Sequence, residues 1–195
     1  MKLLSDQVTE REITTITREL RDILASTIEG DVVEFGCYVG TTSVFLAKLL
    51  TDSTRALWLY DSFEGLPGKS AYDLSPVGEQ FMPGELSATR KQLERNLRPY
   101  HATRVHIKKG WFSELRDRDV PQKISFAFLD GDYYHSIRDS LERIWPRLSL
   151  GATIVVDDYV NEALPGASRA VDEWAKTYHI DVRSEQSLAI FHKNT

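Results

Sequence analysis

Asp31-Val32-Val33-Glu34-Phe35-Gly36-Cys37-Tyr38-Val39-Gly40-Thr41-Thr42 runs from a short apolar segment, through an acid, into a turn with two glycines and two threonines able to cap a helix. The pattern predicts a strand, a turn of nucleoside or phosphate size, and a helix over Ser43 to Leu50, the opening of a nucleotide-binding α/β domain. Glycine suits such a turn because a side chain would hold a ligand away from the exposed N–H groups. A dinucleotide fold asks for Gly-x-Gly-x-x-Gly, whereas this turn offers Gly36 and Gly40 alone, so it admits any nucleoside ligand.

The segments around it predict strands alternating with helices. Thr9 and Glu12 form a capping box. Ile13, Ile16, Leu20, Ile23, Leu24 and Ile28 follow at helical spacing, with Gly30 as the stop. Strands are predicted over Ala56–Tyr60, Arg104–Lys108, Ile124–Leu129 and Ala152–Val156. Helices are predicted from Ser87 to about Leu97, from Ser136 to about Trp145, and from near Pro165 to Tyr178. Ile180–Arg183 and Leu188–His192 read as a closing strand pair. This alternation predicts a doubly wound, mostly parallel sheet with helices on both faces, in one domain over 1–195 whose N-terminal helical segment spans 1–29. Residues 65–84 are rich in glycine, proline and serine without a period, and so read as a lid or binding loop, or as a surface excursion.

The chain has 195 residues, 42% of them hydrophobic and 27% charged, enough for one sizeable core. A formal net charge of -5 disfavours nucleic acid as the main partner. A single cysteine, Cys37, excludes an internal disulfide framework. Met1 to Gln7 turns polar too early for a signal peptide and no apolar run spans a bilayer, which points to the cytoplasm. Gly68-Lys69-Ser70 imitates the end of a phosphate loop, but Phe63 stands where that loop needs glycine. No Gly-x-Ser-x-Gly elbow and no zinc spacing is present.

In open α/β sheets ligands bind beyond the carboxyl ends of the strands. Those ends carry Glu34, Gly36 and Gly40; then Asp61; then Gly110 and Trp111; then Asp130 and Asp132; then Asp157 and Asp158. Asp61 after the second strand suits the hydroxyls of a ribose, or alternatively caps a turn. If the fourth and fifth strands are neighbours, their four aspartates converge. Such a group raises its own pKa values unless a hard divalent cation offsets the charge, and oxygen ligands favour magnesium, calcium or manganese. The alternative is that the aspartates splay into water as helix caps.

Glu34-Phe-Gly36-Cys-Tyr-Val-Gly40, Asp61-Ser-Phe-Glu-Gly65-Leu-Pro, Gly110-Trp-Phe112, Leu129-Asp-Gly-Asp132 and Asp157-Asp-Tyr159 occur in that order. Together they resemble the macrocin O-methyltransferase (TylF-type) family, which includes macrolide and aminocoumarin sugar methyltransferases. The resemblance covers roughly Gly30 to Lys193. It implies a class I S-adenosylmethionine-dependent methyltransferase with a seven-stranded sheet, its last strand antiparallel, and a magnesium ion that holds the sugar's hydroxyls. It places the methyl donor against Glu34, Gly36, Tyr38, Gly40, Thr41, Asp61 and Ser62, with the adenine at Gly110, Trp111 and Phe112. It implies Asp130, Asp157 and Asp158 as metal ligands and Asp132 as general base. Tyr133-Tyr134-His135 stands where family members have Leu-Tyr-Glu, and His135 is an alternative base or an exposed residue starting a helix. The acceptor expected is a sugar or glycosylated metabolite, and a homo-oligomer is plausible for the family. A nicotinamide oxidoreductase and a catalytically silent S-adenosylmethionine-binding protein are the alternatives.

Overall fold

The computed structural model describes residues 2–78, 81–100 and 104–194. Helix α1 (Glu10–Ala25) opens on the expected reciprocal box: Thr9 Oγ1 accepts from the Glu12 amide and Glu12 Oε2 accepts from the Thr9 amide. It stops at Ser26 rather than at Gly30. Gly30 sits at φ 133 beside the strand that opens at Ile124, where a Cβ would come within 2.7 Å of the Ile124 and Ser125 backbone.

Seven strands follow: β1 (Asp31–Phe35), β2 (Leu57–Asp61), β3 (Val105–Lys109), β4 (Ile124–Leu129), β5 (Leu148–Val156), β6 (Arg183–Glu185) and β7 (Leu188–His192). They form one sheet in the order β3-β2-β1-β4-β5-β7-β6. The first five run parallel, and β7 inserts antiparallel to both β5 and β6. The strand order reverses between β1 and β4, so a crevice opens beyond their carboxyl ends.

Successive side chains of the central strands point to opposite faces, which is why their apolar runs are continuous. Val32, Leu59 and Phe128 pack under α1, α2 (Thr41–Leu49) and α3 (Arg90–Leu97). Val33, Leu129 and Ile154 pack under α4 (Tyr134–Ile144) and α5 (Pro165–Tyr178).

Several boundaries differ from the sequence reading. α2 begins at Thr41, so Gly40 is its N-cap and the two threonines lie inside it. α3 is capped by Thr89 rather than Ser87, and α4 starts at Tyr134. β5 extends back to Leu148, because polar Ser149 and left-handed Gly151 interrupt the apolar run without interrupting the strand. The first closing strand is Arg183–Glu185, beyond the apolar residues that suggested it.

Residues 79–80 of the 65–84 segment lie outside the described residues. The rest of it is pinned at Asp73, whose Oδ2 accepts from the Ser70 amide and hydroxyl and whose Oδ1 accepts from the Tyr134 amide at 2.7 Å. Tyr133 supplies no side-chain cap to α4, so Asp73 caps that helix from outside. Among the described residues no helix is long and apolar enough to cross a membrane.

Candidate active site

Beyond β1 and β4 lies a cavity of about 400 Å³. Its walls come from the glycine turn (Gly36, Tyr38), the end of β2 (Asp61, Ser62), the turn after β3 (Trp111, Phe112) and the acidic edge. Of the residues singled out from the sequence, His135 also lines it, whereas Glu34, Gly40, Thr41, Gly110 and Asp157 stand outside the lining.

The reason for glycine in the turn differs from the one first given. A Cβ on Gly36 would lie 1.8 Å from the Asp130 carbonyl oxygen, and one on Gly40 would lie 2.5 Å from Leu93 Cδ1. At Gly36 the protein's own backbone excludes a side chain, and at Gly40 Leu93 of α3 would have to move aside, before any ligand is considered. Both glycines also have left-handed φ, 84 and 90.

Asp61 organises this turn. Its Oδ2 accepts from the Cys37 and Tyr38 amides at 2.8 and 2.9 Å, and its Oδ1 accepts from the Phe63 amide at 2.6 Å. Tyr38 and Phe63 are themselves left-handed, φ 48 and 55, so one carboxylate holds two strained residues in place. Asp61 therefore plays the capping role weighed for it, and of a carboxylate's roughly four lone-pair sites about one remains for a ribose hydroxyl.

Two features of the chain suit the rest of S-adenosylmethionine. Glu34 is 1% exposed and its Oε2 has no hydrogen-bond partner among the described residues, which suits an ammonium group in its neighbourhood. Burial raises Glu34 to about 8, against the lowering effect of the Ser43 hydroxyl. The first turn of α2 has no side-chain cap, which leaves amides for a carboxylate; Thr41 Oγ1 instead pairs with Ser5 Oγ at 2.8 Å.

The acidic edge forms because β4 and β5 are neighbours, as the convergence required. Carboxylate oxygens of Asp130, Asp132 and Asp158 all lie within 4.8 Å of one another. Asp132 and Asp158 adopt left-handed backbone, φ 58 and 57, which side chains rarely tolerate and which here turns both carboxylates into the cavity lining. Asp157 stands beside them with Oδ1 committed to the Ser187 hydroxyl at 2.9 Å and to the Asp158 amide at 2.8 Å. Asn161 Nδ2 donates to Asp158 Oδ1 at 2.8 Å.

Burial, and then the neighbouring aspartates, push Asp130 and Asp132 well above the usual carboxylate range. The same causes raise Asp157 to about 7, and burial raises Asp158. An all-oxygen donor set short of positive charge fits a hard divalent cation. Asp130 and Asp158 belong to both the geometric trio and the expected ligand set; the third place falls to Asp132 by geometry and to Asp157 by resemblance.

Sequence reading missed part of the cavity wall. Asp6 and Gln7 reach it from ahead of α1, Leu66 and Phe81 reach it from the pinned loop, and Leu86 from just beyond that loop. No periodicity marks those loop positions. Ser136 and Asp139 were legible in principle, because they share one face of a helix whose start lies beside the acidic edge.

Comparison with known proteins bears on this site. A family model described as Macrocin-O-methyltransferase (TylF) matches residues 5–188. A tetracenomycin-C rhamnosyl 4'-O-methyltransferase of Streptomyces olivaceus is 32% identical over 184 residues, which covers 89% of this chain and 69% of the relative. Demethyldecarbamoylnovobiocin O-methyltransferase of Streptomyces niveus is 27% identical over 182 residues, 87% of this chain and 67% of its own length. Among solved structures, the O-methyltransferase NovP superposes with a TM-score of 0.84 at 24% identity, covering 95% of this chain and 80% of that one. That likeness shows the fold: a seven-stranded Rossmann-like sheet whose final strands pair antiparallel.

Proposed function

This chain belongs to the macrocin O-methyltransferase (TylF) family, and from that premise we propose that it methylates a hydroxyl on the sugar of a glycosylated small molecule. S-adenosylmethionine is the methyl donor and a divalent cation, magnesium first, sits at the acidic edge. Membership of a methyltransferase family displaces the nicotinamide and silent-binder alternatives. The relatives named for rhamnosyl and novobiocin substrates support the sugar acceptor. The observation that carries the reading is a single cavity containing both the glycine turn and the carboxylates of Asp130, Asp132 and Asp158.

The sulfonium methyl is already activated, so the protein has to align acceptor oxygen, methyl carbon and sulfur. Asp61 holds the turn and offers its remaining lone pair to the ribose, while Trp111 and Phe112 flank the purine. Asp132 takes the hydroxyl proton as the oxygen–methyl bond forms and the methyl–sulfur bond breaks; S-adenosylhomocysteine leaves and the proton remains on the carboxylate. A carboxyl group whose burial favours the protonated form is suited to accept it. Asp130 and Asp158, with Asp157 or Asp132, would hold the cation, which supplies Lewis acidity toward the acceptor hydroxyl.

The test is transfer of labelled methyl from S-adenosylmethionine to a panel of glycosides and nucleotide sugars, with and without EDTA. Methylated glycoside that disappears with chelator and returns with magnesium supports the reading. Full activity in excess EDTA would show the acidic edge to be catalytically idle, and label appearing only on non-sugar hydroxyls would remove the sugar acceptor.

A further inference from the structure

One carboxylate in the cavity belongs neither to the acidic edge nor to the glycine turn. Asp139 lies on α4, where Ser136, Asp139 and Arg143 occupy positions i, i+3 and i+7 and so form one stripe along the helix. Both ends of the stripe are fixed. Ser136 Cβ is so close to Gly131 that a Cβ added there would come within 2.8 Å of it, and Phe112 lies on the same side at 3.4 Å. Arg143 Nη2 donates to the Ser113 carbonyl at 3.4 Å.

Asp139, between these two anchors, therefore faces the turn after β3 across the cavity that Trp111, Phe112 and Ser113 also line. It is half-buried and makes no hydrogen bond or short ion pair among the described residues. Phe112 is in turn held edge-on against Phe35, with centroids 5.2 Å apart. Two aromatic side chains and a carboxylate thus line the same cavity. A carboxylate only accepts, so it favours a ring edge that presents an N–H donor and disfavours one that presents a carbonyl.

We propose that Asp139 accepts a hydrogen bond from the 6-amino group of the methyl donor's purine and sets the enzyme's selectivity for adenine over hypoxanthine. The proposal rests on the reading of S-adenosylmethionine as donor, with its purine beside Trp111 and Phe112. Asp139 acts here as a specificity residue and takes no part in the transfer itself.

Titration calorimetry with S-adenosylhomocysteine and its deaminated analogue S-inosylhomocysteine tests it, on the wild type and on Asp139→Asn and Asp139→Ala. The wild type is expected to prefer the adenosyl compound by at least about tenfold, the scale of one hydrogen bond to a charged group. In Asp139→Ala that preference falls to less than about threefold, mainly through weaker adenosyl binding. Asp139→Asn, nearly isosteric, also loses most of the preference, because its amide can donate to the carbonyl. Glu142→Ala, an exposed change on the same helix, leaves the preference intact.

Undiminished discrimination in both Asp139 variants overturns the proposal while leaving the donor assignment standing. A wild type that binds neither nucleoside overturns the donor assignment, and the proposal with it.

Discussion

Asp132 is held at φ 58, a backbone state that costs a non-glycine residue on the order of 1 kcal/mol or more, and the strain is localised where the acidic edge meets the cavity. If it is the base, Asp132→Asn keeps S-adenosylhomocysteine affinity while kcat falls by roughly 10² to 10⁴. Wild-type turnover would end that assignment, and a parallel magnesium titration shows whether the same carboxylate is also a ligand. Glu34 makes a different prediction, one of stability. Its folded-state pKa of about 8 exceeds the ordinary 4.5, so the folded state holds its proton more tightly than the unfolded chain. Its contribution is therefore fully present below about pH 4.5 and is lost as pH rises through about 8. Melting temperatures of wild type and Glu34→Gln, measured from pH 5 to 8, should diverge with rising pH, the wild type falling relative to the variant. Parallel curves would mean that Glu34 is ionised throughout.

At the scale of elements, the site is held by contacts that reach it from distant parts of the chain. Glu12, which closes the capping box of α1, and Asp157 Oδ1, at 2.9 Å, share the single proton of the Ser187 hydroxyl between them. The N-terminal helix and the β6–β7 turn thus orient an aspartate of the acidic edge. Ser187→Ala should weaken magnesium binding about tenfold by calorimetry, the usual scale for a lost outer-shell partner, with S-adenosylhomocysteine affinity unchanged. Unaltered magnesium affinity would make this chain of bonds structural only. Asp73 fixes the loop to the start of α4 in the same fashion; Asp73→Ala removes a buried cap and should cost about 2 kcal/mol in urea unfolding. Such long-range bonds explain which elements were legible in the sequence. The box at Thr9–Glu12 and the proline opening α5 are local signals, and both mark true helix starts. α4 has no local cap, the acceptor for its first amide lying 61 residues away at Asp73, so its start was misplaced by two residues. The β2, β4 and β5 acids were visible because each ends an apolar run. Asp6, Gln7 and the loop residues at the cavity carry no such mark.

For the molecule as a whole, the carboxyl edge of the sheet concentrates negative charge where a class I methyltransferase must bring donor and acceptor together. Asp130, Asp132, Asp157 and Asp158 are each raised by burial, Asp130 and Asp132 also by the charges of Asp157 and Asp158, and Asp157 by that of Asp158; among the described residues no lysine or arginine is a leading cause lowering any of them. Ionising all of these carboxyls together is therefore unfavourable, and a divalent cation held there by the folded state alone would offset that cost. A ligand at 100 times its Kd that binds only the native state adds about 2.7 kcal/mol. For a chain of this size that corresponds to a rise in Tm of roughly 5–10 °C. Magnesium should produce such a rise and EDTA should reverse it. Asp130→Asn separates this from nonspecific salt effects: removing one charge of the cluster should leave the cation-free Tm equal to or above that of the wild type, and should abolish most of the magnesium-dependent rise. A variant that keeps the full magnesium shift would place the cation elsewhere, and one that melts well below the metal-free wild type would show that Asp130 contributes to the fold more than it opposes it.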